Sequence, residues 1–166
     1  MSQARRIPQR SRANLARSDA AFVAHCRAQG LLVTEQRRAI YAVLAESREH
    51  PSAEQIHQAV RHRLPRLSLA TVYKNLEALR AIGAVSDVNS LHEHGRYEAA
   101  LPGTGAGQPH HHLVCIGCKR VLDLYDRRFD SVHFGAAEAQ GFEVRAVRVQ
   151  VEGLCPKCRT APAWSR

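Results

Sequence analysis

Apolar positions along the chain fall into two regimes, helical spacing before Gly83 and short alternating runs after it. A first helix is predicted over residues 19–29, capped by Ser18 and stopped at Gly30. A second begins after Thr34, with Ile40, Val43 and Leu44 on one side, and ends near Ser47. After Pro51, Ser52 and Gln55 are spaced as a capping box, and Ile56, Val60 and Leu64 form an apolar stripe that Pro65 terminates. A fourth helix starts at Ser68. Leu69, Val72, Leu76 and Leu79 share one face of it, while Ala70, Tyr73, Lys74 and Glu77 share another, and Gly83 closes it.

Beyond Gly83, segments 85–89 and 96–100 flank a polar turn and predict a β-hairpin. Three helices followed by a hairpin describe a winged helix-turn-helix whose last helix enters a DNA major groove. Lys74 would then reach bases or phosphate, and Tyr73 or Ala70 thymine methyls. The same pattern also fits an ordinary helical domain with a solvated basic face. Segment 101–109, with three glycines and two prolines, reads as a hinge. Past it come strands over 111–115 and 121–125, a helix over about 127–140 stopped by Gly141, and a mainly alternating strand over 142–152. The class is therefore α+β. The expected domains are a basic arm (1–18), a winged-helix domain (19–100), the hinge (101–109) and a small α/β domain (110–166).

Composition sharpens this outline. The chain of 166 residues has 24 Lys+Arg against 15 Asp+Glu, a formal charge of +9. Of that excess, +4 lies in the first twenty residues, from Arg5, Arg6, Arg10, Arg12 and Arg17 less Asp19. Such an arm attracts polyanions, nucleic acid first among them, and is equally consistent with a solvated terminus. No apolar run approaches the ~18 residues of a membrane span. The arginines near the start are not followed by an apolar segment, so a cytoplasmic location is expected, where clustered cysteines bind metal or do redox chemistry more often than they form disulfides.

Cys115-Ile116-Gly117-Cys118 and Cys155-Pro156-Lys157-Cys158 are two C-x-x-C pairs, both expected at strand ends. Two such knuckles complete a four-thiolate structural zinc site, with a rubredoxin-like iron site as the alternative. A unit of about 60 residues needs such a staple. Cys26 reads as a small buried residue, and His25, His57 and His62 as helix-surface residues. His92, His94, His110, His111, His112 and His133 are concentrated in the second half of the chain. In a strand His110 and His112 share a face, so two imidazoles can converge on one metal. A zinc-dependent enzyme would also use such histidines, although no H-E-x-x-H is present. A constitutive, zinc-stabilised DNA-binding protein without a sensor site is a further alternative.

Thr34-x-x-Arg37-x-x-Ile40, His50-Pro51-Ser52-Ala53-Glu54-x-Ile56, Ser68-Leu69-Ala70-Thr71-Val72-Tyr73-Lys74-Asn75-Leu76, Gly95-Arg96-Tyr97-Glu98 and His110-His111-His112-Leu113-Val114-Cys115 together resemble the ferric uptake regulator (Fur) family. With both C-x-x-C pairs, the resemblance runs from about Gly30 to Cys158. It implies a homodimeric, metal-activated transcriptional repressor with an N-terminal winged helix and a C-terminal dimerisation domain, binding a palindromic, AT-rich double-stranded operator. Cys115, Cys118, Cys155 and Cys158 would hold structural Zn(II). A regulatory Fe(II) or Mn(II) would sit on His50, Glu98, His110, His112 and Asp123. Arg37, Ser68, Ala70, Thr71, Tyr73 and Lys74 would face DNA. A further site in some relatives would use His111 and Asp130; its distal position here is Val147, which makes His133 the substitute.

The resemblance also ranks the signals. Asp123 and the Tyr73-Lys74-Asn75-Leu76 segment are similar to the peroxide-sensing branch, in which Fe(II) and peroxide oxidise a ligating histidine, His50 or His110 here. Glu98 points towards iron sensing. Manganese-, zinc- and nickel-responsive branches are the alternatives. Zinc sensors usually add a cysteine to the regulatory site, and none lies between Cys26 and Cys115.

Overall fold

The computed structural model describes residues 12–47, 49–89, 95–101, 111–130, 140–144, 147 and 149–160. The chain divides into two compact units, Met1–Gln108 and Pro109–Arg166. The division falls at the end of the expected hinge, most of which lies outside the described residues, as do arm residues 1–11.

The first unit contains α1 (Arg12–Ala28), α2 (Glu35–Glu46), α3 (Ala53–Val60), α4 (Leu69–Ala81) and a hairpin of β1 (Val85–Asn89) and β2 (Arg96–Ala99). Local chemistry sets most of these boundaries. Thr34 caps α2 by accepting from the Arg37 N–H at 3.2 Å. Ser52 and Gln55 form the reciprocal capping box of α3, and Ser68 accepts from the Thr71 N–H at the start of α4. Gly30 and Gly83 adopt φ of +68° and +70°, left-handed positions at which any other residue is strained, and end α1 and α4.

Two helix boundaries differ from the spacing-based expectation. α1 begins at Arg12 rather than Asp19, so it takes in residues 12–18 of the expected arm, and Ser18 is buried within it rather than capping it. Asp19 acts across helices instead, its two carboxylate oxygens accepting from Nε and Nη2 along one edge of the Arg38 guanidinium on α2. α3 ends at Val60, one turn before Leu64. Pro65 disfavours helical backbone at Leu64, and residues 61–63 form a turn whose Arg63 and Leu64 N–H groups both donate to the Val60 carbonyl.

The core of this unit lies between the helices and the hairpin. Phe22 and Tyr41 stack with ring centroids 4.2 Å apart, and Ile40, Ile56, Leu76 and Leu79 are fully buried around them. Cys26 is buried with them, as a small apolar residue. Phe22→Ala is expected to lower the stability of the chain by about 3–5 kcal/mol, read as a lower urea midpoint in far-UV circular dichroism. An unchanged midpoint would remove Phe22 from the core. His25 and His57 are not simple surface residues: their Nε2 atoms lie 2.6 Å from the Ile82 carbonyl and 2.7 Å from the Leu67 carbonyl, tying α1 and α3 to the two ends of α4. His62 is exposed, as expected.

The second unit contains β3 (His111–Cys115), β4 (Val121–Leu124), α5 (Arg127–Asp130), β5 (Gln150–Gly153) and α6 (Pro156–Arg159). The sheet order is β4-β3-β5, with β3 antiparallel to β4 and parallel to β5. Among the described residues of the strand expected over 142–152, only the last part is in a strand. β5 pairs with β3 from His112↔Gln150 to Cys115↔Gly153, and Phe142 and Val144 lie outside any strand, 80% and 48% exposed. Residues 131–139 of the expected helix lie outside the described residues. The second C-x-x-C pair is not simply a strand end: Cys155 is the N-cap of α6 and Cys158 lies inside it, because Pro156 at N1 is preset for a helix start.

Candidate functional site

The second unit assembles a thiol cluster. Cys115 ends β3, Cys118 follows a tight turn, and α6 brings Cys155 and Cys158 against them. All four Sγ atoms lie within 4.8 Å of one another. Cys118 Sγ and Cys155 Sγ are 3.8 Å apart, and both thiols are free. A tetrahedron with Zn–S bonds of about 2.3 Å has edges of roughly 3.8 Å, so the donor set fits a divalent ion of that kind. Gly117 allows the close approach, since a Cβ there would meet Cys158 Sγ at 3.0 Å.

The thiol electrostatics agree with that reading. Burial pushes the Cys115 thiol up, but backbone N–H groups of Cys118, Cys155 and Gly117 outweigh it and hold the group down to about 6. Cys155 is lowered too, first by the Cys158 N–H. Cys158 is pushed up to about 12, first by its hydrogen bond with Cys155. Without a cation the cluster therefore anchors thiolates at one corner and keeps a proton at another. A divalent ion relieves that conflict, since metal binding displaces the remaining protons.

The first unit contributes a second constellation. His50 lies in the loop between α2 and α3 with φ of +46°, and its Nδ1 is 3.7 Å from Glu98 Oε2 on β2. The two side chains are only 6% and 11% exposed. Ser86, the cross-strand partner of Glu98, donates its hydroxyl to Oε1 at 2.7 Å. The Arg96 guanidinium donates to Gln55 Oε1 at 2.8 Å and to the His50 carbonyl at 3.4 Å, joining the hairpin to the capped start of α3. The result is a buried imidazole and carboxylate held side by side, donor types that can ligate a divalent metal.

In the second unit, His112 is buried on β3 and stands opposite Asp123 on β4. His111 points to the other face: its Nδ1 accepts from the Val149 N–H at 3.1 Å, and its ring meets Phe129 edge-on. His110, His133, His92 and His94 lie outside the described residues, as does the side chain of Asp130.

Helix α4 presents Ala70, Tyr73 and Lys74 outward, while Val72, Leu76 and Leu79 are buried beneath. Ser68 and Thr71 are partly engaged in the cap, their hydroxyls 2.8 Å apart. Arg37 donates to the Leu32 carbonyl at 2.6 Å and so braces the loop before α2. Asn75 is buried and donates to the Thr71 carbonyl. Spacing alone passes over Ser86 and Glu54 as partners of functional side chains; only the position of Glu54 beside the capping box marks that residue at all.

A winged-helix unit followed by a small sheet with a four-thiolate cluster defines a class of metal-dependent DNA-binding regulators. Residues 28–152 match the ferric uptake regulator family, and the chain belongs to it. It is 30% identical over 137 residues to the peroxide-responsive repressor PerR of Staphylococcus epidermidis, covering 82% of this chain and 87% of that protein. It is 32% identical over 129 residues to the peroxide operon regulator of Bacillus subtilis, covering 78% and 85%. Its fold is similar to that of the Helicobacter pylori ferric uptake regulator, with a TM-score of 0.69, 20% identity and coverage of 96% of this chain and 99% of that one.

Proposed function

We propose that the chain is a DNA-binding transcriptional repressor, not an enzyme, that is activated by a regulatory metal and releases DNA in response to peroxide. The observation that carries this reading is the buried His50–Glu98 pair, packed beside the reading module of a chain whose relatives at 30% and 32% identity are named peroxide-responsive regulators. Cys115, Cys118, Cys155 and Cys158 hold structural Zn(II). His50, Glu98, His110, His112 and Asp123 hold Fe(II) or Mn(II); three imidazoles and two carboxylates are a borderline-to-hard set suited to these ions. The first two ligands precede the boundary at Gln108 and the other three follow it in sequence, so one ion held by all five ties the units together and couples metal to DNA.

The exposed apolar side chains of the second unit, Leu113, Leu122, Phe142 and Val144, favour a second copy of the chain as partner. Two reading helices related by a two-fold axis require a palindromic operator, and thymine-methyl contacts from α4 favour an AT-rich one. Five free cysteines agree with a reducing, cytoplasmic setting. Among the described residues, no helix is long and apolar enough to cross a membrane.

When bound, Fe(II) supplies the electrons that reduce peroxide next to its ligands. The part of this chain is to hold an imidazole ring within reach of that chemistry and to bury it from competing solvent. Mass spectrometry of the Fe(II)-loaded protein after mild peroxide is expected to show one added oxygen atom on the peptide containing His50 or His110, and none with Mn(II). An Fe(II) sample without that gain, still binding DNA in a metal-dependent manner, would replace peroxide sensing by iron sensing.

A further inference from the structure

Tyr73 stands on the outward face of α4 with 42% of its surface exposed. Its hydroxyl donates to Glu54 Oε1, 2.7 Å away on the first turn of α3. The direction of that bond follows from chemistry alone. An ionised carboxylate has only acceptors, so the single phenol proton must point to Glu54. The lone pairs of the phenol oxygen and the face of the ring are what α4 then offers outward. The same bond, ahead of burial, pushes the Tyr73 ionisation up to about 12, so the phenol keeps its proton at physiological pH.

Glu54 is well placed for this task. It lies within the Ser52–Gln55 capping box, and Gln55 is in turn gripped by Arg96 from the hairpin. The carboxylate therefore sits on a braced helix start rather than on a free loop. It is also only four residues from His50, in a segment whose ends are fixed by the Arg96 contacts.

We propose that Glu54 determines specificity: by taking the Tyr73 proton it makes Tyr73 an acceptor-only reader, which selects a base with an amino donor on its major-groove edge, adenine N6 or cytosine N4. This rests on the reading of α4 as the groove-entering helix. Guanine N7 and O6 and thymine O4 present lone pairs to the phenol oxygen and are rejected, whereas a thymine methyl remains a good neighbour for the ring. Tyr73 thus reads a donor and a methyl together, a combination that A·T pairs supply. Glu54 acts through Tyr73 and is a positioning residue for it.

The test is selection from a randomised DNA library by the full-length, Mn(II)-loaded protein and by E54A, Y73F and the double variant. Wild type is expected to enrich adenine or cytosine at one position of each half-site. E54A frees the phenol proton to serve either role, and Y73F removes the oxygen. Each is expected to reduce that enrichment about tenfold while leaving the other positions unchanged. The double variant should match Y73F, because Glu54 has nothing left to act through. Additive losses, or unchanged preferences in E54A, would overturn the proposal while leaving the repressor reading intact. Failure of the wild type to enrich any sequence would overturn both.

Discussion

Replacing Cys118 by Ser is expected to abolish zinc retention and unfold the C-terminal unit. Among the described residues of that unit, the buried apolar side chains are only Val114, Cys115 and Val121, against eighteen in the core cluster of the first unit. A unit this small needs a staple besides its apolar core. Structural zinc in small domains contributes an apparent ~10–16 kcal/mol, comparable with the ~5–15 kcal/mol that stabilises a whole domain. The thiol cluster also joins β3 to α6 across the sheet, with the Cys155 N–H bonded to Cys115 Sγ at 3.3 Å, so loss of one corner releases both elements. The measurements are zinc content by mass spectrometry, far-UV circular dichroism on heating, and sedimentation. The variant should lose its zinc and its dimeric state while the helical signal of the first unit persists. Cys26→Ala, which alters a buried thiol in the other unit, should retain full zinc. A C118S protein with native zinc content and an unchanged thermal transition would overturn the structural role assigned to the cluster.

The parts of this fold that were legible in the sequence were those decided by neighbours in the chain. The Ser52–Gln55 box, the Ser68 cap and the stops at Gly30 and Gly83 each depend on backbone groups within a few residues, and they fall where the spacing places them. The C-x-x-C turns are local in the same sense. What was missed depends on distant partners. Asp19 has the look of a first-turn acid, yet it lies inside α1, which begins at Arg12, and pairs with Arg38 on another helix. Alternation over 142–152 reports an apolar face but not which residues find a ladder; among the described residues of that span, Gln150–Gly153 form the strand that pairs with β3. Similarly, Ser86 and Glu54 are ordinary polar residues until strand register and helix packing set them against Glu98 and Tyr73.

Glu98→Gln is expected to move the Mn(II) concentration needed for half-maximal operator binding upward by about 100-fold or more, with little change in the stability of the metal-free protein. The substitution preserves shape, and the amide oxygen can still accept from the Ser86 hydroxyl, so the β1–β2 pairing is retained. What it removes is the negative charge 3.7 Å from the His50 imidazole. A hard divalent ion held partly by that carboxylate loses both a charged ligand and its main source of neutralisation in a buried site. Removing even an outer partner of a metal ligand typically costs about 10–100-fold in affinity, so a ligand itself should cost at least the upper end of that range. Ser86→Ala, which frees Oε1 but leaves the charge, is expected to shift the same midpoint by about 10-fold. The ordering separates a ligand pair from a merely structural one. If His50 and Glu98 met only to brace the loop before α3, Glu98→Gln would lower the thermal midpoint of the metal-free protein and leave the Mn(II) dependence unchanged. That result would exclude Glu98 from the regulatory site, and with it the coupling of metal to DNA through this unit.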